Sequence, residues 1–171
     1  MGANEIELDQ LGIAVTRLNG RLLIAALDDR AAPTPAETYE TGREAIRRGD
    51  IPVLGGVVAA QTTDAVAAAF AEYVGADLLV YATSVDGVYD SDPKSDGGAT
   101  RFDRLTAGEL VDVIADMEMN AGSSAPVDLL AAKVIERSGI RTVVLDGADP
   151  QRVVDAVRDD EFDGTEIVPE R

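Results

Sequence analysis

Residues 76–94 read ADLLVYATSVDGVYDSDPK, and this stretch decides the fold. Its first part, residues 77–83, is almost continuously apolar, which is typical of a parallel strand that helices cover on both faces. A long loop rich in Asp, Gly, Ser and Pro follows over residues 85–100. Because open α/β sheets bind ligands at the carboxyl ends of their strands, this loop is a candidate ligand site.

Helical and strand-like segments alternate on both sides of this stretch. Apolar residues at helical spacing predict a first helix within residues 8–27. Capping signals and periodicity predict further helices from the capping box Thr34–Glu37 to Gly49, from Thr62 to Gly75, from the capping box Thr106–Glu109 to about residue 119, over 126–138, and after Asp149. Short apolar runs predict further strands over 51–56, 140–145 and 164–168. The pattern predicts a single domain over residues 1–171, a three-layer αβα sandwich with a mainly parallel sheet.

The first helix carries an apolar stripe at Leu11, Val15, Leu18, Leu22 and Leu23, which we expect to be core. We place Asp9 just before this helix and expect Arg17 and Asn19 on its solvated face.

The composition excludes several chemistries. The 171 residues contain no Cys, His or Trp, so disulfides, thiolate metal sites and imidazole bases are absent. No apolar run reaches the roughly 20 residues of a membrane span, and the N-terminus lacks a signal-peptide pattern, so we expect a cytoplasmic protein without membrane contact. Neither G-x-G-x-x-G nor G-x-x-x-x-G-K-[ST] occurs.

The net charge of −17 argues against a nucleic-acid polymer as partner. Lys94 and Lys133 are the two lysines, and arginine supplies the rest of the 15 basic residues. An acidic, lysine-poor surface favours a high-salt cytosol, where a Debye length of about 3 Å at 1 M salt shortens the repulsion between carboxylates. An acidic mesophilic protein is the alternative.

Three segments could carry chemistry. Thr62 and Thr63 lie at a predicted helix N-terminus, where hydroxyls and N–H groups could bind an anion or merely cap the helix. The loop after the central strand offers hydroxyls and carboxylates, and its D-x-x-x-D-x-D spacing lacks the ligand order of a calcium loop, so we expect no protein metal site. Asp128 falls in the first turn of a predicted helix, where an acid commonly complements the helix dipole.

Taken together, an ordered series of motifs resembles the archaeal-type UMP kinases of the amino-acid kinase superfamily. The series is LDQLGIAVTRLN (8–19), IPVLGG (51–56), QTTDAVAA (61–68), the stretch 76–94, AGSSAPVDLLAAKVIERSGIRTVVLDG (121–147) and DGTEIVP (163–169). The resemblance implies transfer of the γ-phosphoryl group of ATP to UMP, with Mg²⁺ accompanying ATP and a homo-oligomer, a hexamer in the family.

The resemblance also implies roles for individual residues. Those implied to bind UMP are Asp9, Gln61, Thr62 and Thr63, and those implied to bind ATP are Thr83, Ser84, Tyr89 and Asp92. Asp128 matches the acidic residue that organises the reacting phosphates.

Two departures from the family pattern bear on function. Val57, Ala59 and Ala60 replace the Thr and Pro-Gly of the family's G-G-T-x-P-G, and alanine restricts φ where glycine does not, which puts UMP affinity in question. The family's opening strand and its Gly-Gly-Ser phosphate turn have no counterpart, so we expect an N-terminally truncated chain. Two alternatives stay open: another phosphotransferase of the superfamily, or a catalytically deficient remnant that binds nucleotide or only oligomerises.

Overall fold

The computed structural model describes residues 2–119 and 125–170. In chain order its helices are α1 (Glu5–Leu27), α2 (Tyr39–Arg48), α3 (Thr63–Val74), α4 (Ala107–Met119), α5 (Leu129–Ser138) and α6 (Pro150–Arg158). Its strands are β1 (Leu78–Thr83), β2 (Arg104–Thr106), β3 (Arg141–Asp146) and β4 (Gly164–Val168). The chain divides into two compact units, with the boundary between Val66 and Ala67.

The second unit is built on a four-stranded sheet with the order β1-β3-β4-β2. β1 pairs with β3 in parallel, from Leu78 opposite Arg141 to Thr83 opposite Asp146. β2 also runs parallel to β4, whereas β3 and β4 are antiparallel. The sheet is therefore mainly parallel, as predicted, with one antiparallel pairing at its centre.

Side chains alternate across this sheet and build a core on each face, as the two-residue period of a strand requires. Tyr81 of β1 and Val144 of β3 lie in one core with buried residues of α3, α4 and α5. Val143 and Leu145 of β3 lie in a second core with Ala156 of α6. Helices thus cover both faces, which confirms the predicted three-layer α/β fold.

Caps end or begin several elements where the sequence predicts them. Gly75 takes a φ of +70° directly after α3, and Gly139 takes +65° after α5, the left-handed conformation that glycine adopts most readily. Thr106 and Glu109 form the predicted capping box of α4, because each backbone N–H donates to the other's side-chain oxygen, at 2.7 and 3.2 Å. Asp149 accepts from the N–H of Gln151 at the start of α6.

In the first unit, the strand predicted from Ile51 onward does not form. Two isolated parallel bridges stand in its place, Ile51 with Ala31 and Leu54 with Ala36. Pro52 lies between them and has no backbone N–H, so a continuous ladder cannot develop through this position.

The helix predicted to begin at Thr34 also starts later. The N–H of Ala36 donates to the carbonyl oxygen of Val53 at 2.8 Å, which keeps this segment extended. α2 is capped instead by Thr38, whose hydroxyl accepts from the N–H of Thr41 while the Thr41 hydroxyl accepts from the N–H of Thr38. The predicted capping box at Thr34 was therefore wrong.

The apolar stripe of α1 is not core. Its side chains are 52–67% exposed: Leu11, Val15, Leu18, Leu22 and Leu23. The opposite face of α1 is the buried one, since Gly20 packs against Val53 and Thr16 lies against the backbone of Gly55. Thr16 packs closely here because the backbone of Gly55 and Gly56 approaches it, and the Thr16 hydroxyl accepts from the N–H of Gly56.

None of the helices in the described ranges is both long and apolar enough to span a membrane.

Candidate active site

A cleft of about 170 Å³ lies at the carboxyl end of β1, in the second unit. All four residues implied to bind ATP line it: Thr83, Ser84, Tyr89 and Asp92. Met117 of α4 and the segment Ala125–Pro126 complete its walls. The structure therefore brings these four polar residues to one place, at the end of a parallel strand where α/β sheets bind ligands.

The first two residues of the loop form a compact turn. The Thr83 hydroxyl donates to the carbonyl oxygen of Val85 at 2.8 Å and accepts from its N–H at 3.1 Å. The Ser84 hydroxyl lies 3.0 Å from the ammonium nitrogen of Lys94, which donates to it. Lys94 lines the cleft as well, although the sequence analysis did not assign it a role. Its position two residues after Asp92 could have indicated that Lys94 lies in the same cleft.

Asp92 is a buried carboxylate, with 9% of its surface exposed. Its Oδ1 accepts from the N–H of Lys94 at 2.9 Å, and its carbonyl oxygen accepts from the N–H of Asp96 at 2.8 Å. A buried charge needs a hydrogen-bond donor, and the N–H of Lys94 in the following turn supplies one. The carboxylate is therefore held by its own loop before any ligand binds.

Tyr89 belongs to a polar cluster beside this cleft. Its hydroxyl donates to Oδ1 of Asp86 at 2.7 Å, and Oδ2 of Asp86 pairs with Arg101 at 3.0 Å. The hydrogen bond from Tyr89, together with the nearby charge of Arg101, lowers the pKa of Asp86, and the same hydrogen bond raises the pKa of Tyr89. Sequence reasoning did not identify Arg101, which lies twelve residues beyond Tyr89 in a loop without periodicity.

The calcium-like spacing of Asp86, Asp90 and Asp92 does not produce a cluster of ligands. Oδ1 of Asp90 accepts from the N–H of Thr100 at 2.8 Å, while Asp86 is paired with Arg101. Within residues 2–119 and 125–170, no three acidic side chains converge in a way that could hold a metal ion.

A second cleft, of about 210 Å³, lies in the first unit between α1 and residues 56–63. It gathers all four residues implied to bind UMP: Asp9, Gln61, Thr62 and Thr63. Asp9 was predicted to precede the helix, but it lies inside α1, one turn after the start of the helix at Glu5. Its Oδ2 accepts from the N–H of Ala60 at 2.7 Å.

Thr62 and Thr63 stand at the N-terminus of α3, as predicted. The Thr62 hydroxyl accepts from the N–H of Ala65 at 3.1 Å, so this residue caps the helix. Thr63 is the first residue of α3, and Asp64 is acidic in its first turn. Thr62 therefore caps the helix, which was one of the two predicted roles. Anion binding, the other role, stays a prediction for the Thr63 hydroxyl.

Two residues of α1, Thr16 and Arg17, make contacts with Gly56 that the sequence did not predict. The N–H of Gly56 donates to the Thr16 hydroxyl at 2.8 Å, and Nε of Arg17 donates to the carbonyl oxygen of Gly56 at 3.3 Å. Arg17 also pairs with Glu37 at 3.2 Å and is half-buried, so it is less solvated than expected, whereas Asn19 is exposed as expected. The paired glycines Gly55–Gly56 were the available signal, because they permit such close approach.

Asp128 differs from its predicted place. It is the N-cap of α5, not a residue of its first turn, and its Oδ1 accepts from the N–H of Ala131 at 2.8 Å. The helix predicted from Pro126 accordingly begins at Leu129. Asp128 does not line the cleft around Tyr89, although Ala125 and Pro126 do. The preceding part of its motif, residues 120–124, lies outside the described residues.

Comparison with known proteins identifies the family to which this chain belongs. The sequence model of the Amino acid kinase family matches residues 2–146. The uridylate kinase of Haloarcula marismortui is 84% identical over 170 residues, which span 99% of this chain and 75% of that protein. The uridylate kinase of Halobacterium salinarum is 71% identical over 99% of this chain and 70% of its own length.

Solved structures agree with the sequence comparison. The crystal structure of uridylate kinase from Archaeoglobus fulgidus superimposes with a TM-score of 0.86 at 43% identity, over 98% of this chain and 74% of that one. The UMP kinase from Ureaplasma parvum shares the fold, with a TM-score of 0.76 at 19% identity over 96% of this chain and 72% of that one. No finding among these comparisons favours a catalytically deficient remnant. The chain belongs to the amino acid kinase family and, within it, to the uridylate kinases.

Proposed function

We propose that this protein is a UMP kinase, which transfers the γ-phosphoryl group of ATP to UMP and forms UDP and ADP. The observation that carries this proposal is the sorting of eight polar residues into two clefts. One cleft gathers Thr83, Ser84, Tyr89 and Asp92, and the other gathers Asp9, Gln61, Thr62 and Thr63. The names and identities of the relatives support the same reaction.

The cleft at the end of β1 is the proposed ATP site, with Tyr89 and Asp92 on the adenosine side. Asp92 is buried and already held by the N–H of Lys94, so it offers a fixed acceptor to a ligand hydroxyl or amine. A preorganised acceptor loses little conformational entropy when the ligand binds.

The cleft beside α1 is the proposed UMP site. The N-terminus of α3 provides the positive end of a helix dipole, which suits a phosphate. Thr63 opens that helix and Gln61 lies two residues earlier, so both can donate to the nucleotide. Asp9 reaches the same cleft from α1.

The reaction needs little covalent chemistry from the protein. A phosphate oxygen of UMP attacks the γ-phosphorus, the bond from that phosphorus to the β,γ-bridging oxygen breaks, and ADP leaves with the released electron pair. Catalysis then consists of positioning and charge stabilisation, which does not require histidine or cysteine. We assign Asp128 the role of organising the reacting phosphates.

Magnesium enters this scheme with the substrate, as the Mg²⁺ complex of ATP. When bound, Mg²⁺ neutralises charge on the phosphates. The protein's part is to hold the nucleotide at Tyr89 and Asp92 and to place Asp128 beside the phosphates.

Three further properties belong to the proposal. We propose that a single amino-acid-kinase-like domain contains both units, because the family model crosses the boundary at Val66. We also propose that the chain forms a homo-oligomer, since α1 exposes apolar residues at alternating three- and four-residue steps, typical of a helix that pairs with another helix: Leu8, Leu11, Val15, Leu18 and Leu22. We expect activity in the cytoplasm and in high salt.

A coupled assay of ADP release tests the proposal. The purified chain is incubated in molar KCl with ATP, Mg²⁺ and a panel of acceptors: UMP, CMP, AMP, acetylglutamate and carbamate. We expect turnover that depends on UMP and is at least tenfold slower with each other acceptor. Faster turnover with a carboxylate or carbamate would instead assign the protein to another branch of the superfamily.

A further inference from the structure

Arg101 lies opposite Tyr89 in the loop that joins β1 to β2, residues 84–103, which we call the nucleotide loop. The two residues face each other in an isolated antiparallel bridge. On either side of the bridge, the N–H of Phe102 donates to the carbonyl oxygen of Val88 at 2.9 Å, and the N–H of Asp90 donates to that of Thr100 at 3.1 Å. The loop therefore closes on itself as a short hairpin, with Arg101 on the strand that returns to the sheet.

The guanidinium of Arg101 joins the loop to the sheet. Nη1 pairs with Oδ2 of Asp86 at 3.0 Å and with Oδ1 of Asp163 at 2.7 Å, and it also donates to the carbonyl oxygen of Asp86 at 3.3 Å. Asp86 is on the nucleotide loop, whereas Asp163 immediately precedes β4. Asp103 is 3.8 Å from Nη2 and almost fully exposed, so it contributes little.

A buried hydroxyl on β4 fixes the base of the hairpin beneath this ion pair. Thr165 has no exposed surface, accepts from the N–H of Val88 at 2.8 Å and donates to the carbonyl oxygen of Phe102 at 2.5 Å. A Cβ at Gly87 would lie 2.5 Å from the Thr165 hydroxyl and 2.8 Å from Cδ of Arg101. The hairpin and the arginine stem are thus packed too closely for any other residue at this glycine.

The same carboxylate that Arg101 holds also accepts the Tyr89 hydroxyl, through its second oxygen, at 2.7 Å. Asp163, Arg101, Asp86 and Tyr89 therefore form one chain of contacts that leads from β4 to the cleft. Tyr89 lines that cleft, whereas Arg101, Asp86 and Asp163 do not.

We propose that Arg101 is a positioning residue for nucleotide binding: by holding Asp86 against Asp163, it fixes the acceptor of the Tyr89 hydroxyl and thereby the orientation of Tyr89 in the cleft. The proposal rests on the assignment of this cleft to ATP. Arg101 acts through Asp86 and Tyr89 and does not touch the nucleotide itself.

The test is a thermodynamic cycle of ATP binding, measured by calorimetry in molar KCl on wild type, Arg101→Met, Tyr89→Phe and the double variant. We expect Arg101→Met to weaken ATP binding about tenfold, or 1.4 kcal/mol, and to leave UMP binding within about twofold. Because both residues act through Asp86, the two losses should not add. The double variant should have about the same ATP affinity as the single variant that binds ATP less tightly. Arg101→Lys should recover part of the affinity, since a lysine can still pair with one of the two carboxylates.

Arg137→Met is the matched control, because Arg137 forms a two-point ion pair with Glu72 between α5 and α3, away from the nucleotide loop. It should leave ATP affinity unchanged. The inference is overturned if Arg101→Met binds ATP like wild type, if the two single effects multiply in the double variant, or if ATP and UMP weaken equally. Failure of the wild type itself to bind ATP would instead overturn the proposed function, and the inference with it.

Discussion

Asp9 and Ala60 are joined by a hydrogen bond of 2.7 Å, from the backbone N–H of Ala60 to Oδ2 of Asp9, across 51 positions of sequence. Ala60 has a φ of +65°, one of three positive values among the described non-glycine residues. The family pattern has glycine here, and the turn keeps the conformation that glycine would favour. The carboxylate of α1 thus helps to hold an alanine in a left-handed turn, beside the proposed UMP site.

Replacing Ala60 with glycine should stabilise the protein. The left-handed conformation costs an alanine about 1–2 kcal/mol, and the greater freedom of glycine in the unfolded chain offsets about 0.4–1 kcal/mol of the gain. We expect a net increase of about 0.5–1 kcal/mol in the free energy of unfolding, measured by denaturant titration in molar KCl. Ala59→Gly is the control and should not stabilise. Equal effects of the two substitutions would mean that no strain resides at Ala60.

The two proposed sites should respond separately to substitution. Asp92→Asn keeps an oxygen that can accept from the N–H of Lys94 but removes the charge, so it should weaken ATP about tenfold and leave UMP within about twofold. Thr63→Val removes the hydroxyl at the start of α3 and should weaken UMP about tenfold and leave ATP unchanged. Calorimetric titration of both variants with both ligands measures this. Similar losses for both nucleotides in either variant would contradict the assignment of the clefts.

Asp128 offers a way to separate a structural role from a catalytic one. Asparagine caps helices as well as aspartate, whereas alanine at an N-cap costs about 1 kcal/mol. We therefore expect Asp128→Asn to keep the thermal midpoint of wild type and to lower kcat by about tenfold or more, as the loss of a charged hydrogen bond implies. Asp128→Ala should lower both.

Full activity of Asp128→Asn at normal stability would mean that Asp128 only caps α5 and has no role in catalysis.

The exposed apolar residues of α1 should govern assembly: Leu8, Leu11, Val15, Leu18 and Leu22. Replacing Leu11 and Leu18 with glutamine removes two exposed apolar side chains from the helix face and should shift the protein to monomers in sedimentation analysis. Ile46→Gln is the control, because Ile46 is also an exposed apolar side chain but lies on α2. An unchanged sedimentation profile for the double variant would place any interface elsewhere.

Three of the four strands, β1, β3 and β4, were predictable from sequence because they are short apolar runs between turn signals, whereas the short strand β2 was not predicted. Residues 164–168 match β4 from end to end, and residues 77–83 differ from β1 by a single residue. The strand expected over 51–56 failed in part because its partner is an irregular segment around Ala31, which offers isolated bridges and no continuous edge. Pro52 was the warning in the sequence.

The burial of α1 was not predictable from its periodicity. Apolar spacing marks a face that avoids water, but it does not say whether the same chain or another copy covers that face. Here Thr16 lies against the backbone around Gly55, and Gly20 lies against the side chains of Val53 and Pro35. Arg101 escaped prediction for a related reason, since its partners Asp86 and Asp163 are far apart in sequence.

The most direct measurement of the central claim is ³¹P nuclear magnetic resonance of a reaction that contains the purified chain, ATP, Mg²⁺ and UMP in molar KCl. Transfer to UMP predicts the β-phosphorus signal of UDP, growing at the same rate as ADP forms, with no matching rise in inorganic phosphate. ADP that appears with inorganic phosphate and without UDP, or no consumption of ATP, would contradict the account.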